Sequence, residues 1–279
     1  MKNWVRLGAY PIVFGFTAFA QLLLLQANVS LWPYAMAIAS TGLVMVALLE
    51  RAFPYELSWN RDHADTLPDI FHAIFSLGFI FTSIEIVQVA SAYLPVATVW
   101  PLAWPLWVQV IAAGLIIDFG LWFMHWLSHR NNFLWNLHAL HHSAQRLYWL
   151  NGERRHPLSA ILLAGPGTFL AIVLGAPAEV VGCWYSIIAV HLAFQHANLD
   201  YTVGPLKNIL GVAEVHRWHH KKEYEDAQVN FGEFWMIWDQ IFGTFHHTTM
   251  RVEPGDVGMR ENMPTTYWKQ IIWPFQRTS

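Results

Sequence analysis

The stretch IAAGLIIDFGLWFMHWLSHRNNFLWNLHALHH, residues 111–142, decides how the chain is read. Its first half is an apolar run interrupted by one carboxylate, Asp118, and its second half places His125, His129, His138, His141 and His142 close together. On a helix, residues four apart share a face and residues three apart lie beside it, so His125-x-x-x-His129 and His138-x-x-His141-His142 each aim imidazoles in common directions. A third block, His216-x-x-His219-His220, repeats the second, and eleven of the fifteen histidines fall between residues 125 and 220. Blocks of this kind are paired combs of metal ligands.

Outward from that stretch the chain is strongly apolar. With 55% hydrophobic residues, 13% charged residues and sixteen Trp among 279, it is too apolar for an ordinary soluble enzyme and belongs in a bilayer. The net charge of −3 gives no reason to expect a nucleic acid partner, and the single Cys183 cannot form an intrachain disulfide. A helix needs about twenty apolar residues to cross the hydrocarbon. Residues 7–27, 32–49, 70–93 and 101–124 meet that requirement. A shorter pair, 158–175 and 179–196, breaks at Gly175-Ala-Pro177 and reads as a crossing hairpin in preference to a re-entrant one.

The expected fold is all-α and polytopic, with about four to six transmembrane helices and the histidine site at the cytoplasmic face. Lys2, Arg6, Arg51, Arg61 and the segment from Arg130 onward share one side, whereas residues 28–31 and 94–100 carry no Lys or Arg, which puts the termini and histidine blocks in the cytoplasm. The first apolar run exceeds the core of a signal peptide, and Ala35-Met-Ala37 lies far beyond it, so it reads as an uncleaved helix. The organisation is then 1–111 as N-terminal transmembrane helices, 112–247 as the catalytic region and 248–279 as a cytoplasmic tail.

Neutral imidazole suits Fe, Zn, Cu and Ni, and the lack of thiolates argues against a structural zinc or iron–sulfur site. The three blocks hold more histidines than one catalytic ion uses. In His-x-x-His-His the last two residues are about 100° apart on a helix, so they could serve different ions, and a dinuclear site is the economical reading. In His191-Leu-Ala-Phe-Gln195-His196-Ala-Asn198, His196 emerges at the end of the hairpin as a ninth ligand. His191 is a weaker tenth, its alternative being a polar residue packed between helices. His63, His72, His246 and His247 read as ordinary residues, and His156 stays outside the metal set.

Asp118 lies two turns before His125, and a carboxylate inside an apolar span is costly unless functional. It is the foremost candidate to receive an imidazole N–H from behind the ligands, with an ion pair to a distant Arg as the alternative. Asn198, Glu153, Glu214 and Asp239 are lesser candidates. Trp235, Trp238, Phe242 and Phe245 recur at helical spacing, which predicts an amphipathic helix over 234–245 lying on the membrane or capping the site.

The order His125-x-x-x-His129, His138-x-x-His141-His142, Gln195-His196-Ala-Asn198, His216-x-x-His219-His220 resembles the fatty acid hydroxylase superfamily, which includes sterol desaturases, sterol methyl oxidases and alkylglycerol monooxygenases. The resemblance spans residues 112–247 and extends to Asp118, His129-Arg130, Arg155-His156-Pro157, Gly204-Pro205-Leu206, Asn230-Phe231-Gly232 and Trp238-Asp239-Gln240. It implies a non-haem diiron site, with two Fe ions and O2 as co-substrate, that hydroxylates or desaturates an unactivated C–H bond of a lipid such as a sterol, acyl chain or ether lipid. A carotenoid ring fits the same superfamily.

Electrons must come from a separate donor, cytochrome b5 with its reductase, ferredoxin or rubredoxin, because the chain has no dinucleotide fingerprint and no cysteine cluster. Arg130, Arg146, Arg154, Arg155, Lys221 and Lys222 could attract an acidic carrier. A membrane metal transporter would show ionisable residues along a path through the spans, where this chain has little beyond Glu85 and Asp118. A non-catalytic lipid-binding relative would have lost block histidines. With no dilysine or Lys-Asp-Glu-Leu address, a bacterial inner membrane is favoured over the endoplasmic reticulum.

Overall fold

A computed structural model describes residues 2–27, 31–91, 93 and 99–276, with the side chains of the outer half of the third helix described only in part. The two connections free of Lys and Arg, 28–31 and 94–100, fall largely outside the described residues. Inside hydrocarbon a chain must satisfy its own backbone polar groups, and the apolar runs accordingly form helices. These are α1 (Lys2–Gln26), α2 (Leu31–Ala52), α3 (Thr66–Ser91), α4 (Leu106–Ser128), α6 (Pro157–Val173) and α7 (Ala178–His196), with α5 (Asn132–His142) between α4 and α6. Three short helices follow, α8 (Ala213–His219), α9 (Ile237–Phe242) and α10 (Tyr267–Gln276). No regular strand occurs among the described residues.

Residues 3–26, 33–52, 106–128 and 178–196 are long and apolar enough to cross a membrane, and 157–173 is a shorter apolar helix. The chain is a polytopic membrane protein. Ile12, Phe16 and Phe19 on α1 and Leu48 on α2 are left exposed, as lipid-facing side chains are.

α4 and α6 touch at the backbone. A Cβ on Gly120 would lie 2.5 Å from Gly167 Cα, and one on Gly167 would lie 2.5 Å from Ile117 O. Small residues at such a crossing let two membrane helices approach closely. The contact fixes the helix that carries Asp118 and the first histidine block.

α4 begins after Pro105 and runs on to Ser128, further than the 101–124 span read from the sequence. His125 therefore sits in its last turn and His129 at its C-cap. The Asn131 side chain accepts from Leu134 N and starts α5, whose final turns hold His138, His141 and His142.

Buried polar contacts then tie the segment after α5 to α2, to α3 and to Asp65 just before α3. Asp69 accepts from Tyr148 Oη at 2.8 Å, Asn151 Nδ2 at 3.2 Å and the Arg154 guanidinium. Arg146 donates to both oxygens of Asp65. Glu50 Oε2 takes the backbone N–H groups of Trp149 and Asn198, each at 3.0 Å.

One expectation for the C-terminal part changes. Only Ile237–Phe242 of the 234–245 stretch is helical, because Gly243, at φ +73°, turns the chain away, while Phe242 stacks on Trp122 with centroids 4.5 Å apart. Beyond residue 248, α10 packs on α3 and α5, and His72 Nε2 bonds Gln270 Oε1 at 2.8 Å.

Candidate metal centre

Nine buried histidines converge in two groups. His125, His129, His138, His142 and His219 form one, and His141, His196, His216 and His220 the other, each with ligand nitrogens within 4.8 Å of one another. The adjacent pairs of the two His-x-x-His-His blocks are divided: His141 and His142 go to different groups, as do His219 and His220. The turn of about 100° per residue produces that division. His138 and His142, and likewise His216 and His220, stay together one helical turn apart.

The nitrogens in contact are all Nε2. His129 meets His142 at 3.1 Å and His142 meets His138 at 3.2 Å, while in the second group His141–His196, His196–His216 and His216–His220 are separated by 3.3, 3.1 and 3.1 Å. His125 and His219 direct a buried Nε2 that has no hydrogen-bond partner. In both, Nδ1 faces a carbonyl, Phe231 O and Val229 O at 2.8 Å, so Nδ1 carries the proton and Nε2 presents a lone pair.

Lone pairs facing one another without a proton repel, and a cation between them removes the conflict. Metal–nitrogen bonds of about 2.0–2.1 Å at right angles place neighbouring nitrogens about 3 Å apart, which these spacings match. Burial, reinforced by neighbouring imidazoles, holds His129, His138, His141, His142, His216 and His220 well below the ordinary imidazole range, in the neutral form that ligates metal.

One loop stands behind the first group. Asn230 adopts a left-handed conformation, φ +55°, and its side chain bonds Val215 O and both backbone groups of His246, so the flanking carbonyls of Val229 and Phe231 turn toward His219 and His125. Asp239 accepts from Phe231 N at 2.9 Å and Gly232 N at 2.7 Å. Asp118 accepts from Phe234 N at 2.8 Å and Trp235 N at 3.1 Å. Gln195 Nε2 donates to Gly232 O and Glu233 O.

A family model, fatty acid hydroxylase, matches residues 110–244, the part of the chain that contributes every one of these histidines. An ornithine lipid hydroxylase of Rhizobium tropici, OlsE, is 34% identical over 250 residues, covering 84% of this chain and 73% of that protein. The chain belongs to the fatty acid hydroxylase family. Human alkylglycerol monooxygenase is 30% identical over 52% of this chain and 32% of its own length, and rat methylsterol monooxygenase 1 is 28% identical over 49% and 46%. The chain thus spans less than half the length of these two. No solved structure matches it.

Within this fatty acid hydroxylase fold, the remaining sequence candidates take other places. His191 is no member of either group: its Nδ1 bonds Tyr10 Oη at 2.7 Å and its Nε2 Gly211 O at 3.1 Å, and it packs between helices. Asp118 touches no imidazole and acts one step away, through the 231–235 loop. Asn198 is likewise remote, joining the end of α7 to residues 56–60 through Glu56 and Asn60. Glu214 accepts from Thr202 and Val203.

The basic residues divide as well. Arg146, Arg154 and Arg155 are buried in ion pairs with Asp65, Asp69 and Glu233, so they cannot form a docking surface.

Sequence reasoning passed over Glu233 and Gln228. Buried Glu233 pairs with Arg155 at 3.0 Å and places an oxygen 3.7 Å from His125 Nδ1, and Gln228 lies 3.1 Å from His129 Nδ1. Glu233 follows the quoted Asn230-Phe231-Gly232 directly, which was its one available signal. A cleft of about 180 Å³ reaches His142 between Trp135, Lys221, Lys222 and Tyr224. The Trp135 ring packs against His129 and His142 at 4.9 and 5.3 Å.

Proposed function

We propose that this protein is an O2-dependent, non-haem diiron hydroxylase acting on a C–H bond of a membrane lipid. Two sets of converging, unprotonated imidazole nitrogens carry the reading. His125, His129, His138, His142 and His219 would hold one iron, and His141, His196, His216 and His220 the other. Bound there, the two ions would share the electrons needed to cleave O2 and supply the oxidising power for an unactivated C–H bond.

The chain's own part is to hold and to exclude. The imidazoles are buried, so bulk water is kept away, and the protons on Nδ1 of His125 and His219 are fixed by the Phe231 and Val229 carbonyls. A C–H bond must be held close to the centre for reaction, and that positioning decides which carbon is oxidised. Hydroxylation consumes O2, two electrons and two protons and yields the alcohol and water. The electrons come from a separate one-electron carrier of the ferredoxin, rubredoxin or cytochrome b5 class. The cleft that His142 lines is where such a carrier docks, on the cytoplasmic face of what we read as a bacterial inner membrane.

Similarity to an ornithine lipid hydroxylase over 84% of the chain makes an ornithine-containing lipid the first substrate to test. The partial similarity to alkylglycerol monooxygenase makes an ether lipid the second. High-resolution mass spectrometry of lipid extracts from cells with the gene intact, deleted, or restored as the His141→Ala, His142→Ala double variant decides. A lipid that gains one oxygen only with the intact gene is the expected result, a loss of two hydrogens would turn the assignment to desaturase, and identical extracts under aerobic growth would overturn the reading.

A further inference from the structure

A second polar pocket, of about 350 Å³, lies away from the histidine Nε2 atoms, between the foot of α1, Tyr55, the start of α8 and residues 247–252. Its charges do not balance. Asp200 is matched by Arg6 at 3.6 Å and Glu214 by Lys207 at 3.6 Å. Arg217 and Arg251, which also line it, have no carboxylate partner among the described residues. Both guanidinium groups lie 3.8 Å from the centre of the Tyr55 ring.

Arg217 is the decisive residue. It is 4% exposed, donates through Nη2 to Ala197 O and Leu199 O, and leaves a buried Nε without a partner. His247 Nδ1 in the same pocket is also buried and unpartnered. Arg251 also donates to Tyr55 O. A buried charge is costly unless paired, and guanidinium groups with N–H donors to spare are the side chains that recognise phosphate oxygens.

We propose that this pocket is a phosphate-binding site, filled by the phosphate of a lipid headgroup or by free phosphate. Its position favours access to headgroups. Arg6 stands at the foot of α1, beside the exposed Trp4 and Leu7, where that helix enters the hydrocarbon. Occupancy would also reach the catalytic region, because Arg217 belongs to α8 between His216 and His219. The proposal does not depend on the oxygenase reading.

The test uses the full-length, iron-loaded protein in dodecyl maltoside micelles. Three probes are added: inorganic phosphate, phosphatidylglycerol and, as a phosphate-free control, diacylglycerol. Binding is followed by radiolabel retention and by native mass spectrometry. Saturable binding of either phosphate-bearing probe is expected, at least about tenfold weaker in Arg251→Gln, an exposed position whose loss should leave iron content unchanged. Arg217→Lys should weaken it too, because an ammonium cannot reproduce the fork. Binding of phosphatidylglycerol alone assigns the site to headgroups, and binding of inorganic phosphate as well assigns it to free phosphate. Retention of neither, or equal retention by both variants and the parent, overturns the proposal.

Discussion

The two histidine groups contain the same ligand and differ in what stands behind it. In the group of five, three outer nitrogens are engaged by the 228–231 segment: His125 by Phe231 O, His219 by Val229 O and His129 by Gln228. In the group of four, the outer nitrogens of His141, His216 and His220 have no partner, and only His196 is held, by Leu192 O one turn earlier in its own helix. Backing groups orient a ligand and raise its basicity. One half of the proposed centre is thus held in shape by the fold alone, whereas the other would take its geometry from a bound metal.

The harshest way to break the comparison is to remove a ligand from each half. His219→Ala and His141→Ala should each reduce product below detection while the protein still inserts in the membrane, because the proposed dinuclear centre would need both ions for one oxidation. Iron analysis separates the halves: His141→Ala should keep the ion in the group of five. Full activity in either variant would end the dinuclear assignment.

A chelator should distinguish the two halves without mutation. Groups behind the ligands are typically worth about 10- to 100-fold in metal affinity, so the group of four should empty first, in a separate step. A single step, with both ions leaving together, would show that the unequal backing has no energetic weight. Acid should act in the same direction. The folded protein holds His138, His142, His141 and His216 neutral through burial, whereas unfolded imidazoles protonate near about pH 6.5. Stability and metal retention are then complete above about that pH and decline as it falls below, because the unfolded state binds more protons there.

The residues that bind were more legible in sequence than the residues that support them. Ligand spacing is local: the helical repeat puts His138 with His142 and separates His141 from His142, and this can be read from a dozen residues. Support is a matter of tertiary contact. Asp118 was noticeable because a carboxylate in an apolar run is rare, yet its partners, Phe234 N and Trp235 N, come from a loop far along the chain. Arg146, Arg154 and Arg155 looked like surface charge because their partners, Asp65, Asp69 and Glu233, lie on distant segments. His191 shares a helix with His196, but five residues of helix turn it toward Tyr10 and Gly211.

Asp118→Asn sharpens the contrast further. One of the two backbone N–H groups that the carboxylate accepts would lose its oxygen, loosening the loop that carries Phe231. Iron in the group of five should be held about tenfold less tightly, at the lower end of such effects because Asp118 works through the loop, while the group of four is unaffected. Unchanged retention in both groups would make Asp118 a purely structural residue.

The smallest effect expected is at Gln228, and it tests the tautomer on which the whole arrangement rests. Gln228 sets its Nε2 3.1 Å from both His129 Nδ1 and Tyr224 O; for His129 to present an unprotonated Nε2 toward His142, its Nδ1 must carry the proton, and the Gln228 amide then turns its oxygen to the ring and gives up the Tyr224 bond. Gln228→Leu removes that acceptor and should cost a few-fold to about tenfold in retention of the better-held ion. Gln228→Glu supplies a stronger acceptor, so retention should equal or exceed that of the parent. If the Glu variant instead loses metal as the Leu variant does, Nδ1 is not the donor, His129 presents its other edge to the centre, and the advantage of the five-membered group rests on the Phe231 and Val229 carbonyls alone.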